Sequence, residues 1–313
     1  MNFSGLKMME MVKRFTHNLV KTLSNKYICK LISIVLAITL FTFVSSIGWS
    51  DYAWADTFSC YQDCPNALIT SKVCTQENED YKITPEDKKN DVTVLSIHGG
   101  KIEEYTSRIS KDLSSRYNWN LYDFNGDIKN KECSKLAPPG SKNKNFAVLH
   151  ITATEFNEEQ AIKLVQSHKK AIAIHGHGRN KDKDNPQTIC VGGSNTAQIE
   201  KFITNVNKES DKFKSLVGYS LNLVNVPKAT GSICIEKPPL DGIDPDNIVN
   251  KNKGGSGGLQ LELSKTIRED LAKGSDNPAS SSPDNYQLFR NVIYNAINCA
   301  MVGRRVCPSV LSR

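Results

Sequence analysis

"VTVLSIHGGKIEEYTSRIS", residues 92–110, decides how this chain is read. VTVLSI is short, apolar and rich in β-branched residues, as expected of a buried strand. Gly99 and Gly100 follow His98; they let the backbone turn sharply and leave open space above the turn. Beyond them Tyr105, Ile109 and Leu113 fall four apart, which predicts a helix with Glu103 in its first turn. His98 therefore stands where a strand stops and Glu103 where a helix starts. Across such a junction the two side chains can converge, and imidazole and carboxylate are ordinary zinc ligands. Taken alone, the pair is better explained by a local hydrogen bond at His98 and by the helix dipole at Glu103, an explanation Glu104 shares.

The same alternation continues along the chain. NWNLYDFNG (118–126), KNFAVLHIT (144–152), KKAIAIHGHG (169–178) and QTICVGGSN (187–195) read as strands or strand and turn. NEEQAIKLVQSH (157–168), with Asn157 as N-cap, TAQIEKFITNVNKES (196–210) and YQLFRNVIYNAINCAMV (286–302) read as helices. GGLQLELSKTIREDLA (257–272) passes from strand to helix, and KGSDNPASSSPD (273–284) is a loop. Strands alternating with helices predict an α/β single domain, a mixed, mostly parallel sheet with helices on both faces. Ligands of such sheets collect at the carboxyl ends of strands. Three strand candidates end there in histidine: His98, His150 and His175. His177 competes with His175 but lies past the expected strand end. In LQLEL, Gln260 and Glu262 alternate with three leucines, so Glu262 faces either solvent or a polar cavity. In a cavity it would suit general-base work.

The chain has 313 residues and a formal net charge of +7. Its first 30 residues carry six basic side chains, then LISIVLAITLFTFV runs without a charge, and YAWADT offers small residues at Ala53 and Ala55. This is the pattern of a secretory signal, residues 1–55, cut after Ala55. An uncleaved membrane anchor is the rival, but the charge-free stretch is at the short end of a span. Removing 1–55 takes away six basic and two acidic residues and leaves a net charge of +3. No nucleic-acid motif accompanies the remaining charge, and no membrane partner is expected after cleavage. Residues 56–88 read as a cysteine-bearing arm and 89–305 as the catalytic domain. Of nine cysteines, Cys29 leaves with the signal and eight remain, an even number that suggests disulfides in an exported chain. A metal site on Cys60 and Cys64 is the alternative.

The motifs IHGGKIEEYTS, LHITATEF, AIHGH, CVGG and GLQLELS occur in the order found in the poly-γ-glutamate hydrolase family, which this chain resembles over about residues 91–300. The resemblance implies a zinc carboxypeptidase-like fold and one Zn2+ per chain held by His98, Glu103 and His175. It places the family's Q-L-E-L glutamate on Glu262, as general base acting on a metal-activated water. It implies a polyanionic substrate, poly-γ-glutamate, cut at γ-glutamyl amide bonds. Lys251 stands where relatives are expected to carry arginine, which bears on carboxylate binding, since only arginine makes a bidentate pair. Arg179, Lys251 and Lys253 are candidate contacts for substrate carboxylates, with solvated surface charge as the plainer account of each. His150 is assigned to substrate contact, to orienting a ligand, or to a structural hydrogen bond. The competing functions are an amidohydrolase acting on γ-glutamyl bonds of peptidoglycan or small peptides, and a non-catalytic polyanion-binding module.

Overall fold

The structure, a computed structural model, describes residues 80–178, 187–236, 239–273, 284–304 and 307–308. The signal segment, most of the cysteine-bearing arm and Arg179 lie outside these residues. In chain order the elements are β1 (Tyr81–Glu86), β2 (Val92–Gly100), α1 (Thr106–Tyr117), β3 (Asn120–Gly126), α2 (Lys131–Lys135) and α3 (Lys144–Leu149). They continue as α4 (Glu159–Ser167), β4 (Lys170–His177), β5 (Gln187–Gly192), α5 (Thr196–Asn207), α6 (Ser210–Val217) and β6 (Leu221–Asn225). β7 (Leu259–Ser264), α7 (Lys265–Lys273) and α8 (Asn285–Val302) complete the fold.

The strands form one sheet in the order β1-β3-β2-β4-β7-β5-β6. β3–β2, β2–β4, β4–β7 and β5–β6 pair in parallel, and β1–β3 and β7–β5 antiparallel. This is the mixed, mostly parallel α/β sheet expected from the alternation. Period-two patterning splits its side chains between two cores. On one face Val92, Val94, Ile172, Ile174 and the three β7 leucines pack against Ile109, Phe202, Leu271, Phe289 and Ile293 from α1, α5, α7 and α8. On the other Leu95, Ile97, Ala171 and Ala173 pack with Val148, Leu164, Val165 and Ile248. With the leucines committed to the first face, Gln260 and Glu262 fall to the second.

Three local expectations are corrected. Residues 144–149 form a helix, not a strand, because Asn143 Oδ1 accepts from Phe146 N (3.0 Å) and caps a turn whose Ala147, Val148 and Leu149 are buried. His150 is thus a helix C-cap. Glu158 rather than Asn157 caps α4, accepting from Gln160 N and Ala161 N. Glu103 lies outside any helical turn: α1 begins at Thr106, with no acidic residue in its first turn, so the dipole explains neither Glu103 nor Glu104. A strand the patterning missed, β1, pairs with β3 at the sheet edge, where half-exposed YKITPE has too little alternation to announce itself.

Candidate metal centre

β2, β4 and β7 run parallel, so their carboxyl ends lie on one edge of the sheet. Regular alternation would send His98 to the face of Val94. Between Ser96 and Gly99, however, three steps along β2 match two along β3, a bulge. Bulges re-aim side chains, and His98 meets His175 at 3.0 Å between their Nδ1 atoms. Gly100, at φ 68°, then turns the chain, and Lys101 N donates to Gly126 O. Glu103 N donates back to His98 O (2.9 Å), and Thr106 Oγ1 donates to Glu103 O (2.8 Å). This turn folds the Glu103 carboxylate under the sheet edge, where Gly176 N donates to its Oε2 (2.7 Å). The space expected above the glycines is filled by protein where their side chains would stand. A side chain on Gly99 would strike Ser107 Oγ, and one on Gly176 the Arg268 guanidinium.

His98, Glu103, His175 and Glu262 are all buried. His98 Nδ1 lies 3.1 Å from Glu103 Oε1, and His175 Nδ1 lies 3.8 Å from Glu103 Oε2. His98 Nε2 faces the Ile151 carbonyl at 2.7 Å. A carbonyl can only accept, so Nε2 carries a proton, and Nδ1 is the ring atom turned toward Glu103 and His175. His175 Nε2 has no hydrogen-bond partner among the described residues, and its Nδ1 faces His98 Nδ1. Burial first, then His98 and His150, hold the His175 ring well below its ordinary value, at about 3, against the pull of Glu103. His175 is therefore neutral near pH 7. Burial alone would raise the Glu103 carboxyl, but His98 above all, with His175 and His150, draws it below its ordinary value. An ionised carboxylate and two ring nitrogens thus converge in one buried site. Tetrahedral zinc, with bonds of about 2.0–2.1 Å, spaces its ligand atoms about 3.3 Å apart. The two nitrogens lie 3.0 Å apart, and 3.1 and 3.8 Å from one or the other oxygen of the carboxylate, near that value, so the residues fit a zinc ion.

His150 is a second candidate for the third position. Its Nε2 lies 4.0 Å from Glu103 Oε1, its ring lies against His98 with centroids 4.0 Å apart, and His98, Glu103 and His150 can each offer a ligand atom within 4.8 Å of the others. His175 Nδ1 lies 3.0 Å from His98 Nδ1 and 3.8 Å from Glu103 Oε2, while by ring centroids it is 4.8 Å from His98, farther than His150. Glu104 is separated from the cluster: it is exposed and pairs with Lys265 at 3.4 Å. His177 is buried, and its Nε2 is 3.2 Å from the Thr188 carbonyl on β5.

Glu262 sits beside His175 in the β4–β7 register, and laterally paired residues share a face. The open choice between solvent and interior is decided for the interior, with Glu262 6% exposed. Gln260 Nε2 donates to its Oε1 (3.0 Å), and Asn247 Nδ2 donates to Gln260 Oε1 (2.9 Å). Asn247 thereby fixes which way the Gln260 amide points. Gln260, Asn247 and Arg268 support the site without having been singled out from sequence; only Gln260, two residues from Glu262 on one strand face, left a pattern there. Lys251 closes the short turn Ile248–Asn250, and no hydrogen bond or ion pair joins it to the cluster. Lys253 N donates to His168 O, away from the cluster.

A family profile described as poly-gamma-glutamate hydrolase matches residues 70–294. The chain belongs to the poly-gamma-glutamate hydrolase family. Among curated relatives, the UPF0714 protein YndL of Bacillus subtilis (strain 168) is 27% identical over 242 residues, spanning 77% of this chain and 75% of YndL. The SPbeta prophage-derived UPF0714 protein YoqZ of the same strain is 32% identical over 199 residues, 63% of this chain and 58% of YoqZ. A bacteriophage poly-gamma-glutamate hydrolase structure superposes with TM-score 0.53 and 24% identity, covering 79% of this chain and 97% of that one. A zinc-free apo structure of YndL gives TM-score 0.52 and 26% identity, covering 78% and 98%. The family's α/β fold is thus the fold of this chain.

Proposed function

We propose that this protein is an exported, zinc-dependent hydrolase that cuts γ-glutamyl amide bonds of poly-γ-glutamate. The observation that carries the proposal is the buried convergence of His98 Nδ1, His175 Nδ1 and the Glu103 carboxylate, 3.0–3.8 Å apart, with Glu262 on the neighbouring strand. Held by those atoms, Zn2+ would supply Lewis-acid polarisation of the scissile carbonyl and a more acidic attacking water. The Glu262 carboxylate takes the proton of that water and returns it to the leaving nitrogen. Gln260 holds the carboxylate in place through its Oε1, and Asn247 holds Gln260. The backbone of Gly176 keeps Glu103 turned toward the histidines. His150, beside His98 and Glu103, lines the approach and contacts substrate. Family membership and the zinc-free description of the YndL structure support the substrate and the metal. Disulfides Cys190–Cys234 and Cys299–Cys307, with Cys133 also bonded, support an oxidising destination and hence export.

The test is incubation of the full chain with poly-γ-glutamate, with and without a chelator, followed by chain-length analysis. Shortening of the polymer that the chelator abolishes and added zinc restores is the expected result. Intact polymer beside cleaved γ-D-glutamyl muropeptides would overturn the substrate assignment. Undiminished cleavage in the chelator, with no zinc in the purified protein, would overturn the metal.

A further inference from the structure

Arg268, on helix α7, is one of two buried arginines among the described residues and is 6% exposed. Its Nε donates to the Glu104 carbonyl at 2.8 Å and its Nη1 to the Leu263 carbonyl. The guanidinium stands where a side chain at Gly176 would go: a Cβ there would come within 2.1 Å of Nη1 and 2.3 Å of Cζ. Each of these three contacts falls on the residue immediately after a member of the site: Glu104 after Glu103, Leu263 after Glu262, Gly176 after His175. One side chain thus touches the turn, the β7 end and the β4 end that carry the cluster. Burial pushes the guanidinium below its usual value, while Glu103 and then Glu262 push it back up, so the cation also balances the site's carboxylates. Lysine would present a point donor in place of a planar fork and could not reach both carbonyls with fixed geometry. Anchoring α7 alone would not require the guanidinium to displace every side chain but glycine at residue 176.

We propose that Arg268 is a positioning residue: its guanidinium sets the spacing of the Glu103 turn, the His175 strand end and the Glu262 strand end, and residue 176 is glycine because the guanidinium occupies the place of its side chain. The inference rests on the hydrolase reading above and adds a residue to it. It is tested in the full chain with Arg268→Lys, Arg268→Ala, Gly176→Ala and the double variant Gly176→Ala/Arg268→Ala. Zinc affinity is measured by competition with a chromophoric chelator, kcat and KM on poly-γ-glutamate, and melting temperature alongside. Arg268→Lys is expected to fold, to weaken zinc binding at least tenfold, and to lower kcat with KM changed less than threefold. Gly176→Ala should do the same when arginine is present, and should add less than a twofold further loss once residue 268 is alanine. Wild-type zinc affinity and kcat in Arg268→Lys would overturn the proposal, as would fully additive effects of the two positions. If Arg268→Ala does not fold, Gly176→Ala and Arg268→Lys carry the test, and unchanged zinc affinity in both overturns it. Failure of the wild type to bind zinc or cut polymer would sink the hydrolase reading instead. The coupling of residues 176 and 268 would then be read in melting temperature, where additivity again overturns the clamp.

Discussion

Glu262→Gln separates chemistry from architecture at this site. Glutamine has the same shape, and its carbonyl oxygen can accept the hydrogen bond that Gln260 Nε2 now gives to Glu262 Oε1 at 3.0 Å. The contact, worth about 1 kcal/mol, is kept. The lost charge leaves Arg268 less compensated, but Glu103 and the carbonyls of Glu104 and Leu263 remain around it. The cost in stability is that of the lost charge pair, at most about 4 kcal/mol for charges in contact at an effective dielectric of about 20 and less at larger separation. Zinc content should be unchanged, because the proposed ligands are His98, Glu103 and His175. What glutamine cannot do is take a proton. A positioned general base contributes roughly 10²–10⁴-fold, so kcat should fall by about that factor, equivalent to roughly 3–5 kcal/mol of barrier. Three measurements decide it: metal content, the urea unfolding midpoint, and initial rates of polymer shortening. A variant that keeps its zinc, its stability and more than a third of its activity would refute the role of Glu262. One that loses zinc would show instead that Glu262 is a ligand.

Metal-free protein should lose stability on acidification from pH 6.5 toward 3. His175 is protonated in the unfolded chain below about 6.5 but in the fold only near 3, and Glu103, held low, acts in the same direction below 4.5. The unfolded state then binds more protons, so stability falls as pH falls, by up to about 1.4 kcal/mol per pH unit from His175. Urea midpoints of chelator-treated protein that stay level between pH 7 and 5 would contradict this. His175→Ala should cost zinc affinity at least a hundredfold and His150→Ala less than tenfold, with KM raised, measured by chelator competition; the reverse order would give His150 the third ligand position. Gly100→Ala should destabilise the chain by about 2 kcal/mol or more, because φ is 68° and the new Cβ would meet Gly126 O at 2.3 Å. An unchanged midpoint would show that the turn relaxes freely.

The sequence alone determined the alternation of strands and helices, and with it the layered α/β class. Hydrophobic periodicity is local, and VTVLSI, AIAIHGH and LQLELS carry it within a few residues. It also put His98, His175 and Glu262 at or near strand ends, since the residues that end an apolar run can be read directly. Tertiary structure decided the rest. Asn143 turned KNFAVL into a helix, because one cap bond outweighs a β-like apolar run of that length. The bulge in β2 turned His98 toward His175, and pairing of β4 with β7, distant in the chain, put His175 beside Glu262. The separation of buried Glu103 from exposed Glu104 came from a turn closed by hydrogen bonds to His98, Gly126 and Gly176. Arg268 could not be found from sequence, because its contacts lie 5, 92 and 164 residues away in the chain, at Leu263, Gly176 and Glu104. Periodicity reports which face a residue takes; which residues share that face across strands is fixed only when the sheet is assembled.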